Sequence, residues 1–218
     1  MSISFPLNFV DFWDLFQVLD GTSEFQIVER MAESEDGGGN TIGARLGQSK
    51  IMCDVMIAPM YSDLAGRVTS MITVLIGRSG TLYAYDRLHP YPIKDPTGSI
   101  VGSSTVQVRT KGSDNRSLSL KGLPASYSLT AGDWMSVTYS SGKKALLRVG
   151  EDVTANGSGI TSEFEVYPFL STGIAVDDNV DLKKPEGKFE IVRGSYRPGT
   201  LEGRRLVGCG FSIRSVQK

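Results

Sequence analysis

From Thr105 to Lys184 the chain is divided into six short runs with apolar residues at alternate positions: "TVQVRT", "SLSLKG", "WMSVTY", "KALLRV", "SEFEVYP" and "NVDLKK". A period of two sends successive side chains to opposite faces, which suits a half-buried strand and defeats a helical stripe. Gly, Asn, Asp and Ser cluster between the runs, as turns require. The stretch therefore reads as a small all-β unit of six or so strands, a sandwich or a barrel. Glycine makes up 25 of 218 residues, about 11% against a usual value of about 7%.

Earlier in the chain the period changes once. "EFQIVERMAES" and "KIMCDVMIAP" read as strands on either side of "EDGGGN". In the second strand Ile51, Cys53, Val55 and Ile57 share one face. The triple glycine loses much entropy on ordering, so a mobile loop is expected there. From Tyr61 to Ile76, the residues Tyr61, Leu64, Val68, Met71 or Ile72, and Leu75 recur at three and four. Ser62 stands where a cap belongs, and Gly77 and Gly80 where a helix stops. Gly66 inside this helix costs about 1 kcal/mol relative to Ala. "TLYAYD" follows as a strand.

"RLHPYPIKDPTG" then places three prolines between Arg87 and Gly98, which excludes a helix and reads as a linker. After Pro185, "GKFEIVRGSYRPG" and "LVGCGFSIRSV" return to strand patterning. In the last run Val207, Cys209, Phe211 and Ile213 alternate with Gly208, Gly210, Ser212 and Arg214, and the bare glycine face permits close approach of another element. The expected organisation is discontinuous. Residues 1–92 and 185–218 form one β-domain with a helix at 61–76, and residues 97–184 form an inserted β-domain. Excising residues 97–183 should then leave a folded core.

A net charge of −1 and a pI near 5.9 supply no basic field for nucleic acid or acidic lipid. "MSISFPLNFVDFWDLF" lacks a basic start, and Asp11 and Asp14 interrupt its apolar stretch, so neither a signal peptide nor a membrane span is expected. Its large apolar residues suit docking on a partner or covering the subunit's own core. Cys53 and Cys209 are the only cysteines, read as buried free thiols in strands.

No catalytic, cofactor-binding or metal-ligating residue is assigned. Asp152, Thr154, Asn156, Gly157 and Glu163 approach the spacing of a calcium loop, but the flanks are strands and Asn156-Gly157 is itself a turn signal. A β-turn is the expectation. "YSSGKK" reads as a second hairpin turn. His89, the single histidine, precedes Pro90 with no nucleophile motif around it, and reads as a loop histidine. Asp177 with Asp178, and Glu33 with Glu35 and Asp36, read as solvated loop charge rather than a glycosidase pair. Trp134, Tyr127, Tyr139 and Tyr167 read as core residues in preference to a sugar-stacking platform.

Three stretches together resemble a known family: "APMYSDLAGRVTSMITVLIGRSGTLYAYDRLHPYPIKDPTG", "DNRSLSLKGLPASYSLTAGDW" and "ALLRVGEDVTANGSGITSEFEVYPFL". They are similar to tail proteins of long-tailed bacteriophages and prophages of alphaproteobacteria, most of all to a distal tail protein, over most of the chain from about Lys50. The resemblance implies a mainly β protein, with a tube-like β-domain carrying one helix and a second β-domain projecting outward. It implies a structural, non-enzymatic subunit of the virion tail, assembled in the host cytoplasm. The subunit would form a closed ring such as a hexamer, between the tail tube protein and the tip or hub proteins. DNA would pass through the lumen without specific binding, which favours a neutral or weakly acidic bore. No cofactor and no membrane partner are implied. A tube or terminator protein, a carbohydrate-binding receptor module and a hydrolase using loop carboxylates are the other expectations, and no sugar site is carried over from the family.

Overall fold

The computed structural model describes residues 5–7, 24–140 and 142–216. Beyond Leu7, the apolar N-terminal stretch lies outside the described residues. Strands β1 (Gln26–Val28), β2 (Met31–Glu35), β3 (Thr41–Arg45), β4 (Lys50–Met56) and β5 (Met60–Tyr61) precede helix α1 (Ser62–Gly77), which leads to β6 (Thr81–Ala84). Then follow β7 (Val106–Lys111), β8 (Ser117–Lys121), β9 (Ser128–Leu129), β10 (Trp134–Tyr139), β11 (Lys143–Val149), β12 (Val153–Thr154), β13 (Phe164–Tyr167) and β14 (Asn179–Asp181). The chain returns through β15 (Gly187–Ile191), β16 (Thr200–Glu202), β17 (Arg205–Val207) and β18 (Gly210–Ser215). Over the described residues the protein is mainly β with one helix.

The six alternating runs of the middle region supply the six strands of a closed antiparallel barrel, in the order β10-β11-β13-β8-β7-β14. Closure leaves no unpaired edge, which explains how such short strands suffice. Val106, Val108, Leu118, Leu120, Met135, Val137, Leu147, Val149, Phe164 and Val166 fill its core. The β10–β11 hairpin pairs Tyr139 with Lys143, with Ser140 at φ 40° and Gly142 at φ 98° supplying the tight return of "YSSGKK".

The flanking segments build a five-stranded antiparallel sheet, in the order β1-β4-β18-β15-β6. In β4 the buried side chains are Ile51, Cys53 and Val55, followed by Ile57 just beyond it, as the period of two requires. In β18, Phe211 and Ile213 face the same core. Gly210 is where backbones meet: a Cβ there would stand 2.6 Å from the Val55 carbonyl. Cys209 departs from the expected strand, since Gly208 at φ 73° bends the chain between β17 and β18.

Helix α1 packs on this core through Ala65, Val68, Ile72 and Leu75, whereas Tyr61 and Leu64 from the expected stripe are exposed. The stripe is rotated because Tyr61 is extended, at φ −67° and ψ 153°, and belongs to β5. Small Ala65 takes the inner position that spacing gave to Leu64. Ser62 is the first helical residue and no side chain caps the end. At the other end the left-handed position is Ser79 at φ 49°, and the Gly80 N–H donates to the Leu75 carbonyl at 2.8 Å. Glycine is needed at 80 for another reason: a Cβ would lie 2.5 Å from the Phe5 ring. Phe5 and Leu7 pack on the subunit's own core, and Leu7 bridges Leu82. Gly66 touches nothing, so Gly66→Ala should raise unfolding free energy by about 1 kcal/mol, read as a higher urea midpoint at unchanged slope.

The buried residues form two clusters, one for the sheet and helix and one for the barrel. Trp134 and Leu146 are exceptions that matter. They lie on barrel strands β10 and β11 but are packed in the sheet-and-helix cluster.

Candidate interaction surface

Strands β2 and β3 pair only with each other, in register from Met31 opposite Arg45 to Glu35 opposite Thr41. Every residue of both strands is exposed. Pairing and alternation put Ala32, Ser34, Ile42 and Ala44 on one face, and Met31, Glu33, Glu35, Thr41 and Gly43 on the other. Ile42 is 61% exposed. The tip differs from the structureless loop expected of "EDGGGN". Asp36 Oδ1 accepts from the N–H groups of Gly38 and Asn40, each at 2.9 Å, and the Asn40 Nδ2 donates to Oδ2 at 3.2 Å. These bonds, the Asn40 N–H first, lower the Asp36 pKa. An aspartate that supplies its own turn partners, with Gly39 at φ 80°, gives the three glycines a defined path.

The base of this hairpin is clamped to the barrel. The Arg45 guanidinium lies 4.3 Å from the Phe169 ring centre, 3.3 Å from Tyr167 Oη and 3.6 Å from Glu29. Tyr167 Oη donates to Glu29 at 2.5 Å and lies 2.7 Å from Ser49 Oγ, and burial together with the Glu29 bond raises its pKa. Beyond that clamp no buried apolar residue among the described residues belongs to the ribbon, and an isolated two-stranded ribbon is marginal in water.

A second exposed feature is the small sheet β16-β17-β5. One row runs Met60–Leu206–Leu201 and leaves the core as it goes: Met60 is buried, Leu206 half-buried and Leu201 62% exposed. The adjacent row is Tyr61–Arg205–Glu202, with Arg205 Nη2 donating to Tyr61 Oη at 2.9 Å. Strand β16 is an edge. Arg197, Arg204 and Arg205 are exposed on or near it, whereas Arg193 reaches Ser79 beyond the far end of α1.

The residues singled out from sequence are not gathered into one site. Asn156 Oδ1 accepts from Ser158 and Ile160 N–H at 2.9 and 3.1 Å, so it shapes its own turn. The left-handed residue is Gly159 at φ 71°, whereas Gly157 has open space around it. The turn also does not join β11 to β13 directly, because β12 pairs with β9 on the way. Asp152 accepts from the Ala131 N–H at 2.8 Å, Thr154 meets Ser128, and Glu163 accepts from Ser117. Asp177 pairs with Lys121 and Asp178 accepts from Ala175 N–H. No group of three or more His, Cys, Asp or Glu converges among the described residues. Trp134, Tyr127 and Tyr139 are buried. Cys53 and Cys209 are buried free thiols whose pKa values burial pushes upward, which leaves little reactive thiolate.

What sequence spacing missed is a set of buried carboxylates that pin the proline-rich segment. Asp86 Oδ2 accepts from Trp134 Nε1 at 3.0 Å and lies 3.1 Å from His89 Nδ1, while its Oδ1 takes the Leu88 N–H. Asp133 accepts from Ile93 and Thr130 N–H, both at 2.8 Å. Burial opposes ionisation of Asp95, but N–H bonds from Val101 and Ile100 outweigh it and hold its pKa below the usual range. The segment is a bonded joint, not a loose linker. A cleft of about 460 Å³ opens beside it, lined by Tyr91, Thr97, Lys144, Asp181, Lys183 and Glu186 among others. Its lysines serve the joint: Lys144 lies 2.5 Å from Glu186 and Lys183 donates to the Gly102 carbonyl. No protein-family model and no curated protein matches this chain.

Proposed function

We propose that this chain is a structural tail protein of a long-tailed phage, most like the distal tail protein, assembling as a closed ring between tail tube and tip. The observation that supports this most is the β2–β3 hairpin, with all ten strand residues exposed and a clamped base. Such a ribbon has little reason to be ordered alone and much to gain from a neighbouring chain. Ring subunits need edges and arms of this kind, and a barrel without free edges can project from the ring without promiscuous pairing. The joint built by Asp86, Asp95 and Asp133 also suits a scaffold, since it ties the barrel's approach segment to fixed backbone donors.

The test is location and shape. Antibody labelling of induced phage particles should mark the junction of tube and tip, and the purified protein should show closed rings by negative-stain imaging. Replacing residues 31–44 by a short Gly-Ser link, with Arg45 kept in its clamp, should leave the unfolding midpoint of the subunit nearly unchanged while abolishing rings. Label on the capsid, or no label on any particle, would overturn the proposal. Label confined to the shaft or its upper end would instead assign a tube or terminator protein.

A further inference from the structure

Resting on the ring proposal, we infer that the β2–β3 hairpin of one copy docks on the β16–β17 surface of a second copy of this chain. The first ground is charge. From Met31 to Arg45 the chain holds three acids, Glu33, Glu35 and Asp36, and one base, Arg45, which is engaged in the clamp. At the β16–β17 surface it presents Arg197, Arg204 and Arg205 against the single acid Glu202. A protein of net charge −1 thus segregates its charge into an acidic arm and a basic platform. The Asp36 carboxylate is taken up by the turn, so Glu33 and Glu35 are the groups that present charge outward.

The second ground is apolar and independent of charge. The row Met60–Leu206–Leu201 carries core side chains out to an edge strand and ends on an exposed leucine. The hairpin's opposite face ends on Ile42, equally exposed, opposite Ser34 and next to the small facing pair Ala32 and Ala44. Because faces alternate along a strand, one register lets both matches hold together. With β3 set beside β16, Ile42 continues the leucine row, and uncharged Thr41 and Gly43 lie on the face of Glu202. A slip by one residue would move Ile42 to the side of Arg205 and Glu202 and break both. The clamp holds the hairpin's base beside Ser49, at the start of β4, whereas Met60 and Tyr61 of the platform follow the other end of that seven-residue strand, about 20 Å away, so the complement is assigned to a neighbour. A contact of unlike patches is head-to-tail, which builds a ring when its rotation closes and an open filament when it does not; the ring proposal requires the first.

The experiment uses the full chain in light scattering after size exclusion, with circular dichroism to establish folding. Wild type should assemble, and rising salt should dissociate it. Glu33→Arg with Glu35→Arg, and separately Arg197→Glu with Arg204→Glu, should each raise the apparent dissociation constant about 100-fold, since like charges facing one another cost several kcal/mol. All four changes in one chain should restore assembly. Ile42→Asp should abolish it without changing the monomer's unfolding. If a charge variant misfolds, Glu33→Gln with Glu35→Gln and Arg204→Gln take its place and should each weaken assembly about tenfold. Folded single reversals that assemble like wild type, or a fourfold variant that stays monomeric, would overturn this contact. Rings that label the tail yet ignore these charges would sink the docking alone and leave the tail proposal standing.

Discussion

Trp134→Ala should lower the free energy of unfolding by about 4–8 kcal/mol, in urea unfolding followed by circular dichroism. Two costs add. Removing a buried indole leaves a cavity worth about 3–5 kcal/mol, in a site where the ring meets Phe25 edge-on at 6.0 Å and Phe25 meets Phe189 at 5.1 Å. The buried Asp86 also loses the Nε1–H donor at 3.0 Å, and a buried acceptor left short of a partner costs about 1–3 kcal/mol. Trp134→Phe separates the terms, because it keeps most of the volume and should lose only the second. An alanine variant within 1 kcal/mol of wild type, a threshold of about the usual mutational mean, would show that the barrel and sheet cores do not share this side chain. The same residue bears on excising residues 97–183. That deletion removes Trp134 and Leu146 from the sheet-and-helix core, so the remainder should fold only with a comparable loss.

Gly159→Ala should destabilise by about 2–5 kcal/mol while Gly157→Ala stays near neutral, although sequence gives the Asn156-Gly157 pair the stronger turn signal. Gly159 sits at φ 71° and a Cβ there would collide with the Leu123 carbonyl. Both the left-handed strain and the overlap fall on backbone, which cannot rotate away. Gly157 has no heavy atom within 4 Å of its Cβ position and no positive φ. Equal effects at the two positions, compared by thermal unfolding, would refute the Gly159-centred turn.

The period of two determined the barrel strands, since each of the six alternating runs carries one of its members. The same period determined the buried face of β4. A dyad repeat is local: it needs no knowledge of the partner to say which side chains point together. The helix was legible in place and length but not in rotation, because Leu64 and Ala65 differ by one position and only the packing chose the smaller residue. The cysteine count was legible, but the bend at Gly208 that takes Cys209 out of a strand was not. Nor was the hairpin tip: "EDGGGN" looked free, and the Asp36 carboxylate organised it.

The interaction surface was half legible. Glu33, Glu35 and Asp36 stood out as a charged stretch, and its exposure followed from composition. Its counterpart did not, because Tyr61, Leu201 and Arg205 are far apart in sequence and meet only when β5, β17 and β16 pair. The carboxylate joint was hidden for the same reason: Asp133 meets Ile93 across 40 positions, and Trp134 meets Asp86 across 48. By itself, then, the sequence determined the strands, their inward faces and the presence of one helix, all of which depend on neighbours a few residues away. The tertiary structure alone decided barrel closure, the sharing of Trp134 between units, and the meeting of Tyr61, Leu201 and Arg205 in one small sheet. Each of these is a long-range pairing, whose partners are chosen by chain geometry and not by any local pattern.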